Sequence, residues 1–204
     1  MKPDTLIIFI KNPILGQVKT RIEKASNPEK ALSVYHELIL ITQQFVLDLP
    51  YSKYLYYSNF MDLSDSWSND LFYKMKQVDG NLGVRMQQAF KEQESRSDKM
   101  ILIGSDCPYL TKEILHEAFK SLEEHDVVLG PTQDGGYYLI GMKKLHSEIF
   151  ENKSWSTSML YSQTLVSLNE LKLSYYELEM LEDIDYIEDW EKYLQSTEYK
   201  KFEK

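Results

Sequence analysis

Asp106 sits where a carboxylate can do chemistry, in Gly104-Ser105-Asp106-Cys107-Pro108, directly after the apolar run Met100–Ile103. A carboxylate at the end of a buried strand is placed to hold Mg²⁺ or Mn²⁺, which prefer oxygen ligands and bridge diphosphate groups. The alternative is an Asp that only accepts turn N–H groups; the place on the sheet favours the metal. Upstream, Lys11-Asn12-Pro13-Ile14-Leu15-Gly16-Gln17-Val18-Lys19-Thr20-Arg21 carries three basic residues and lies in a stretch with no acid between Asp4 and Glu23. Lys19 and Arg21 can neutralise phosphate oxygens, Arg through paired hydrogen bonds. Gly16 permits close approach of backbone N–H groups. The stretch is not a Walker A loop, because Val18 precedes Lys19 where that motif has Gly, and it lacks Gly-x-Gly-x-x-Gly. On position alone, a solvated basic loop explains it equally well.

Two later segments add candidates. In Gly130-Pro131-Thr132-Gln133-Asp134-Gly135-Gly136-Tyr137-Tyr138, Asp134 can act as a general base or hold a substrate hydroxyl, while the glycines allow close backbone approach. Read in isolation, this is a hairpin turn. Trp155 is either a sugar-stacking ring or core, and Ser156 or Thr157 caps the next helix. In Glu182-Asp183-Ile184-Asp185, two carboxylates one residue apart point the same way on extended chain, a second half for a metal site. The competing role for Asp185, an N-cap, is the stronger of the two. Cys107 is read as buried filler, since no His lies near it in sequence. The four histidines show no zinc spacing.

These residues need a scaffold, and the apolar pattern predicts one. Leu6–Ile10, Tyr54–Tyr57, Met100–Ile103 and Val127–Leu129 are continuous apolar or aromatic runs of the kind a sheet covered on both faces requires. Asn27-Pro28 begins a helix predicted over Pro28–Leu49, stopped by Pro50. Further helices are predicted at Leu82–Glu94, Thr111–Glu124, Thr157–Leu171 and Ile187–Leu194. Val127–Gly130 and Tyr137–Gly141 form two strands around an Asp-Gly turn, and a last strand lies near Tyr175–Leu178. Alternating strands and helices imply a mostly parallel sheet with a mixed C-terminal half and ligands at the carboxyl ends of the strands.

The chain has 204 residues, 43% of them hydrophobic and 13% aromatic, enough for one domain, 1–204, with a sizeable core. Its formal net charge of −9 argues against nucleic acid or an anionic membrane as partner. One cysteine excludes an internal disulfide. The apolar run Leu6–Ile10 is too short for a signal-peptide core or a membrane span. The expectation is a soluble, cytoplasmic protein.

Taken in order, Phe9–Pro13 with Gly16–Arg21, Asn81-Leu82-Gly83-Val84-Arg85-Met86, Gly104–Pro108, Gly130–Gly141 and Trp155-Ser156-Thr157 resemble the rSAM/selenodomain-associated transferase family, whose members are often described as glycosyltransferases of arsenosugar biosynthesis. The resemblance implies a GT-A-like (Rossmann-like) three-layer α/β/α fold of the nucleotide-diphospho-sugar transferases, similar also to guanylyltransferases. It implies that Lys11, Gly16, Lys19 and Arg21 face phosphates and that Asn81, Leu82, Gly83 and Arg85 border the nucleotide. Asp106 would bind Mg²⁺ or Mn²⁺, with Asp183 or Asp185 beside it. Asp134, Gly135, Gly136, Tyr137 and Trp155 would face the acceptor or sugar. The chain departs from the family at Tyr186-Ile187, where relatives often have Thr-Pro, which weakens the Asp183/Asp185 assignment. Three functions follow: glycosyl transfer from a nucleotide-sugar to a small-molecule acceptor, nucleotidyl transfer from an NTP with pyrophosphate release, or nucleotide binding without turnover. The first is preferred.

Overall fold

The computed structural model describes residues 2–202. It contains a seven-stranded sheet in the order β3-β2-β1-β4-β6-β5-β7. The strands are β1 (Thr5–Ile10), β2 (Ser52–Tyr57), β3 (Phe72–Lys76), β4 (Met100–Ile103), β5 (Val127–Pro131), β6 (Tyr137–Met142) and β7 (Tyr175–Glu177). β1 pairs in parallel with β2 and β4, β2 with β3, and β5 with β7; β6 runs antiparallel to both β4 and β5. The helices are α1 (Thr20–Ala25), α2 (Pro28–Val46), α3 (Leu82–Glu94), α4 (Lys112–Ser121), α5 (Leu160–Glu170), α6 (Ile187–Leu194) and α7 (Thr197–Phe202).

Residues alternate across the sheet, so each strand feeds two cores. Leu6, Ile8 and Ile10 of β1 face one way, with Ile101 and Ile103 of β4, against Tyr35 and Ile39 of α2 and Leu115 and Phe119 of α4. Ile7 and Phe9 face the other way, with Met100 and Leu102, against Met86 and Phe90 of α3 and Leu168 of α5. This is the expected three-layer α/β/α arrangement. The outer face of α2 buries Ala31, Val34, Leu38 and Ile41 against Ile22 of α1 and Trp190 and Tyr193 of α6. α2 is therefore covered on both sides, which its dense apolar pattern requires. Among the described residues, no helix is long and apolar enough to cross a membrane.

Several boundaries shift from the sequence expectation. α2 ends at Val46, α4 covers Lys112–Ser121 and α5 begins at Leu160. Asn27 and Thr111 do cap α2 and α4, accepting from Lys30 N and Ile114 N. α1 and β3 were not expected. β3 is an edge strand whose Lys74 is buried against Asp65 at 2.7 Å, so its apolar pattern is interrupted by a paired charge. Asp185 is not the N-cap of α6. Tyr186 takes that position, and Asp189 Oδ2 accepts from the backbone N–H groups of Asp185 at 3.0 Å and Tyr186 at 2.7 Å.

Candidate active site

β1 and β4 lie side by side, and the chain leaves them toward opposite halves of the sheet, to β2 on one flank and β6 on the other. A crevice must open beyond their carboxyl ends at such a switch point. A cleft of about 530 Å³ occupies that place. Its walls include Lys11, Lys19 and Arg21 after β1, Asp106 after β4, Asp134, Gly136 and Tyr137 from the β5–β6 turn, and Asp183 and Asp185 from the segment after β7.

The backbone brings these pieces together. Ile184 N donates to Asp106 O at 2.9 Å, docking the segment after β7 onto the turn after β4. Lys19 adopts a left-handed conformation, φ 47° and ψ 46°, at the entry of α1. That conformation costs a residue with a Cβ on the order of 1 kcal/mol. It is held because Lys19 Nζ reaches Asp106 Oδ1 at 2.5 Å and Ile184 O at 2.6 Å. Arg21 Nη1 meets Asp185 Oδ2 at 2.5 Å, and its guanidinium lies 5.3 Å from the Tyr186 ring centroid.

The acidic side is under electrostatic pressure. Burial raises the pKa of Asp106, but the Lys19 ammonium, with Lys11 behind it, outweighs that and leaves it below the usual carboxylate value. Burial pushes Asp183 up to about 7, and the negative charge of Asp106 adds to the rise. Cys107 is pushed up by burial and by Asp183, toward which its thiol is hydrogen-bonded. It is a packed side chain and not a nucleophile, as expected.

These carboxylates fit a hard divalent ion. Asp106 and Asp183 are close enough that the charge of one suppresses ionisation of the other. Among the described residues no cluster of three His, Cys, Asp or Glu side chains is set to hold a metal. Mg²⁺ and Mn²⁺ sites of this chemistry take one or two carboxylates and complete their shell with substrate phosphate and water. Asp106 and Asp183 would supply those carboxylates, whereas Asp185 is engaged by Arg21.

On the opposite wall, the Thr132 hydroxyl donates to Asp134 Oδ1 at 2.5 Å and Gly136 N donates to the same oxygen at 3.0 Å. Both fall on Oδ1, leaving Oδ2 for another donor. Tyr137 lines the cleft with a buried hydroxyl that has no hydrogen-bond partner among the described residues.

Other expected residues act on the frame. Asn81 Oδ1 accepts from Val84 N at 3.0 Å and caps α3, whose first residue, Leu82, lines the cleft. Gly83 is packed against Trp155: a Cβ there would stand 2.3 Å from the indole. Trp155 therefore belongs to the packing beneath α3 and does not line the cleft. Gly135 (φ 86°) lies against Ser158 O, and Gly16 (φ 77°) turns in the open; neither lines the cleft. Sequence reasoning missed Tyr35, Ser58, Gln77 and Ser105, which do. Tyr35 Oη accepts from Lys11 N at 2.7 Å and stands 3.2 Å from Ser105 Oγ, joining the loops after β1 and β4 through α2. No local motif marks them.

Fold and cleft together define an α/β protein of the nucleotide-diphospho-sugar transferase-like class. The chain belongs to the family described as "Uncharacterized protein conserved in bacteria (DUF2064)", whose model matches residues 49–157, more than half of its length. Its fold is similar to that of a Desulfovibrio desulfuricans G20 protein provisionally described as a nucleotide-diphospho-sugar transferase, with 24% identity, TM-score 0.85, and coverage of 98% of this chain and 93% of that one. It is also similar to the 4-diphosphocytidyl-2C-methyl-D-erythritol synthase of Anaerococcus prevotii DSM 20548, at 13% identity and TM-score 0.60, covering 96% and 97% of the two chains. A third similar structure is Rv0371c of Mycobacterium tuberculosis H37Rv in complex with manganese, at 12% identity and TM-score 0.56, covering 96% and 99%. No curated protein matches the sequence.

Proposed function

We propose that this protein is a transferase that binds a nucleotide-diphosphate compound with Mg²⁺ or Mn²⁺ and transfers the sugar of a nucleotide-diphosphate sugar to a small-molecule acceptor. One observation carries the reading: Lys19, Arg21, Asp106, Asp134 and Asp183, drawn from four separate segments, line one cleft at the carboxyl ends of the strands.

The cation held by Asp106 and Asp183 would supply charge to the departing diphosphate. Lys19 and Arg21 share that task, since both can turn from their carboxylate partners to phosphate oxygens once the ion takes the carboxylates. The acceptor hydroxyl oxygen attacks the anomeric carbon and the bond from that carbon to the diphosphate oxygen breaks. The electron pair leaves with the nucleoside diphosphate, and Asp134 Oδ2 receives the acceptor's proton. Thr132 and Gly136 fix Asp134 through its other oxygen, so the carboxylate is oriented before the acceptor arrives.

Nucleotidyl transfer is the second reading, favoured by the likeness to a cytidylyl-compound synthase. There an acceptor phosphate oxygen attacks the α-phosphorus of an NTP and pyrophosphate leaves. Incubation with labelled nucleotide-sugars and, separately, with NTPs plus phosphorylated acceptors tests the assignment. Release of a nucleoside diphosphate from a nucleotide-sugar supports the first reading; release of pyrophosphate alone replaces it with the second; neither product, at any metal concentration, overturns both.

A further inference from the structure

The cations of the cleft fall into two groups. Lys19 and Arg21 are paired with Asp106 and Asp185. Lys11 and Arg85 make no ion pair among the described residues. These two also line a smaller recess of about 180 Å³ beside the cleft, whose other walls are Asn12, Gln17, Ser58 and Asn59. Every residue of the recess carries an N–H or O–H donor and none is acidic, in a chain of net charge −9.

The recess is held in shape. Asn12 is buried; its Oδ1 accepts from Asn59 N at 3.0 Å, its Nδ2 donates to Phe60 O at 2.9 Å, and its backbone N donates to Ser58 Oγ at 3.3 Å. Asn59 Nδ2 donates to Gln17 Oε1 at 3.1 Å, so Gln17 has its amide N–H₂ to offer. Arg85 is aligned by Nε donating to Gly80 O at 2.9 Å and Nη1 donating to Gln77 Oε1 at 3.4 Å. Gln77 is locked in turn, because its Nε2 donates to Tyr56 O at 3.0 Å. The other guanidinium N–H groups remain for a ligand, and two unneutralised cations match a dianion better than a monoanion.

We propose that this recess is a phosphoryl-binding subsite, in which Lys11 and Arg85 hold a phosphate group separate from the diphosphate placed against Lys19, Arg21 and Asp106. The assignment rests on the reading of the main cleft as a nucleotide-diphosphate site. The phosphate comes either from the third phosphoryl group of an NTP or from a phosphorylated acceptor.

Calorimetric titration of the wild type, Lys11→Gln and Arg85→Gln in Mn²⁺ separates these sources. One arm compares the best-binding nucleoside diphosphate with its triphosphate; the other titrates inorganic phosphate into the diphosphate-saturated protein. The expected result is a gain of about tenfold for the triphosphate, or saturable phosphate binding in the second arm, abolished in both variants while diphosphate affinity changes less than about threefold. The first result assigns the subsite to an NTP and the second to an acceptor phosphate. The proposal is overturned if the wild type shows neither, if the variants retain them, or if diphosphate affinity falls in parallel. A wild type that binds no nucleoside diphosphate defeats the cleft reading. Phosphate titrated into the free protein then decides the recess alone, with Lys11- and Arg85-dependent binding supporting it and no binding overturning it. Lys11 is exposed, so Lys11→Gln keeps the test open if Arg85→Gln unfolds the protein.

Discussion

Lys19 Nζ stands 2.5 Å from Asp106 Oδ1 and 2.6 Å from Ile184 O, so one side chain after β1 ties the turn after β4 to the segment after β7. The phosphate-binding cation and the metal-binding carboxylate satisfy each other before any ligand arrives. Binding then exchanges partners: carboxylate to metal, ammonium to phosphate. Such an exchange avoids leaving a half-buried charge alone, which would cost several kcal/mol.

The raised pKa of Asp183 makes stability depend on pH. Its value of about 7 compares with 3.8 ordinarily, so between these pH values the folded protein holds a proton that the unfolded chain has released. Stability therefore falls as pH rises through that window and levels off above it, by up to about 1.4 kcal/mol for each unit of displacement. In metal-free buffer, Asp183→Asn is expected to flatten the decline in Tm between about pH 5 and pH 8. Equal slopes for both proteins would show that Asp183 titrates normally.

Arg21→Gln separates folding from binding. The Arg21–Asp185 pair is exposed at 51% and 37%, so its loss should change stability by less than about 1 kcal/mol. Nucleoside diphosphate affinity should fall about tenfold through the lost phosphate contact. Unchanged affinity would remove Arg21 from the site.

Gly83→Ala tests the frame beneath α3. The added Cβ would lie 2.3 Å from the Trp155 ring and 2.8 Å from Phe150 O, and backbone cannot swing aside. The expected loss is about 1–3 kcal/mol in urea unfolding, with altered tryptophan fluorescence as the indole shifts. Wild-type stability and emission would contradict this packing.

Asn12→Ala removes the buried amide that ties residues 58–60 to the loop after β1. Leaving Asn59 N and Phe60 O without partners should cost about 1–3 kcal/mol. Hydrogen exchange should quicken at Asn59 and Phe60 while β1 stays protected; unchanged exchange there would count against the anchor.

The legible features were those written locally. Asn27-Pro28 marked the start of α2, and the runs in β1 and β4 marked the centre of the sheet. β3 was hidden because Lys74 and Lys76 break its pattern, and only Asp65, brought over by the loop before it, makes a lysine tolerable inside. α1 has six residues and begins at a left-handed Lys19, too short to show a helical period. Of the site, the individual carboxylates and cations could be named because each follows a strand. Their pairing could not, since Arg21 with Asp185 and Cys107 with Asp183 depend on where the segment after β7 crosses the sheet. Gln77 and Tyr35 had no signal at all; their importance lies in what they hold still.

The central claim is that Asp106 holds a divalent ion that in turn holds the nucleotide diphosphate. Its most direct test is calorimetric affinity for a nucleoside diphosphate in Mn²⁺ and in EDTA, for the wild type and Asp106→Asn. The account predicts that Mn²⁺ tightens binding to the wild type by about tenfold or more and leaves binding to Asp106→Asn unaffected. An equal Mn²⁺ effect in both proteins, or none in the wild type, would contradict it.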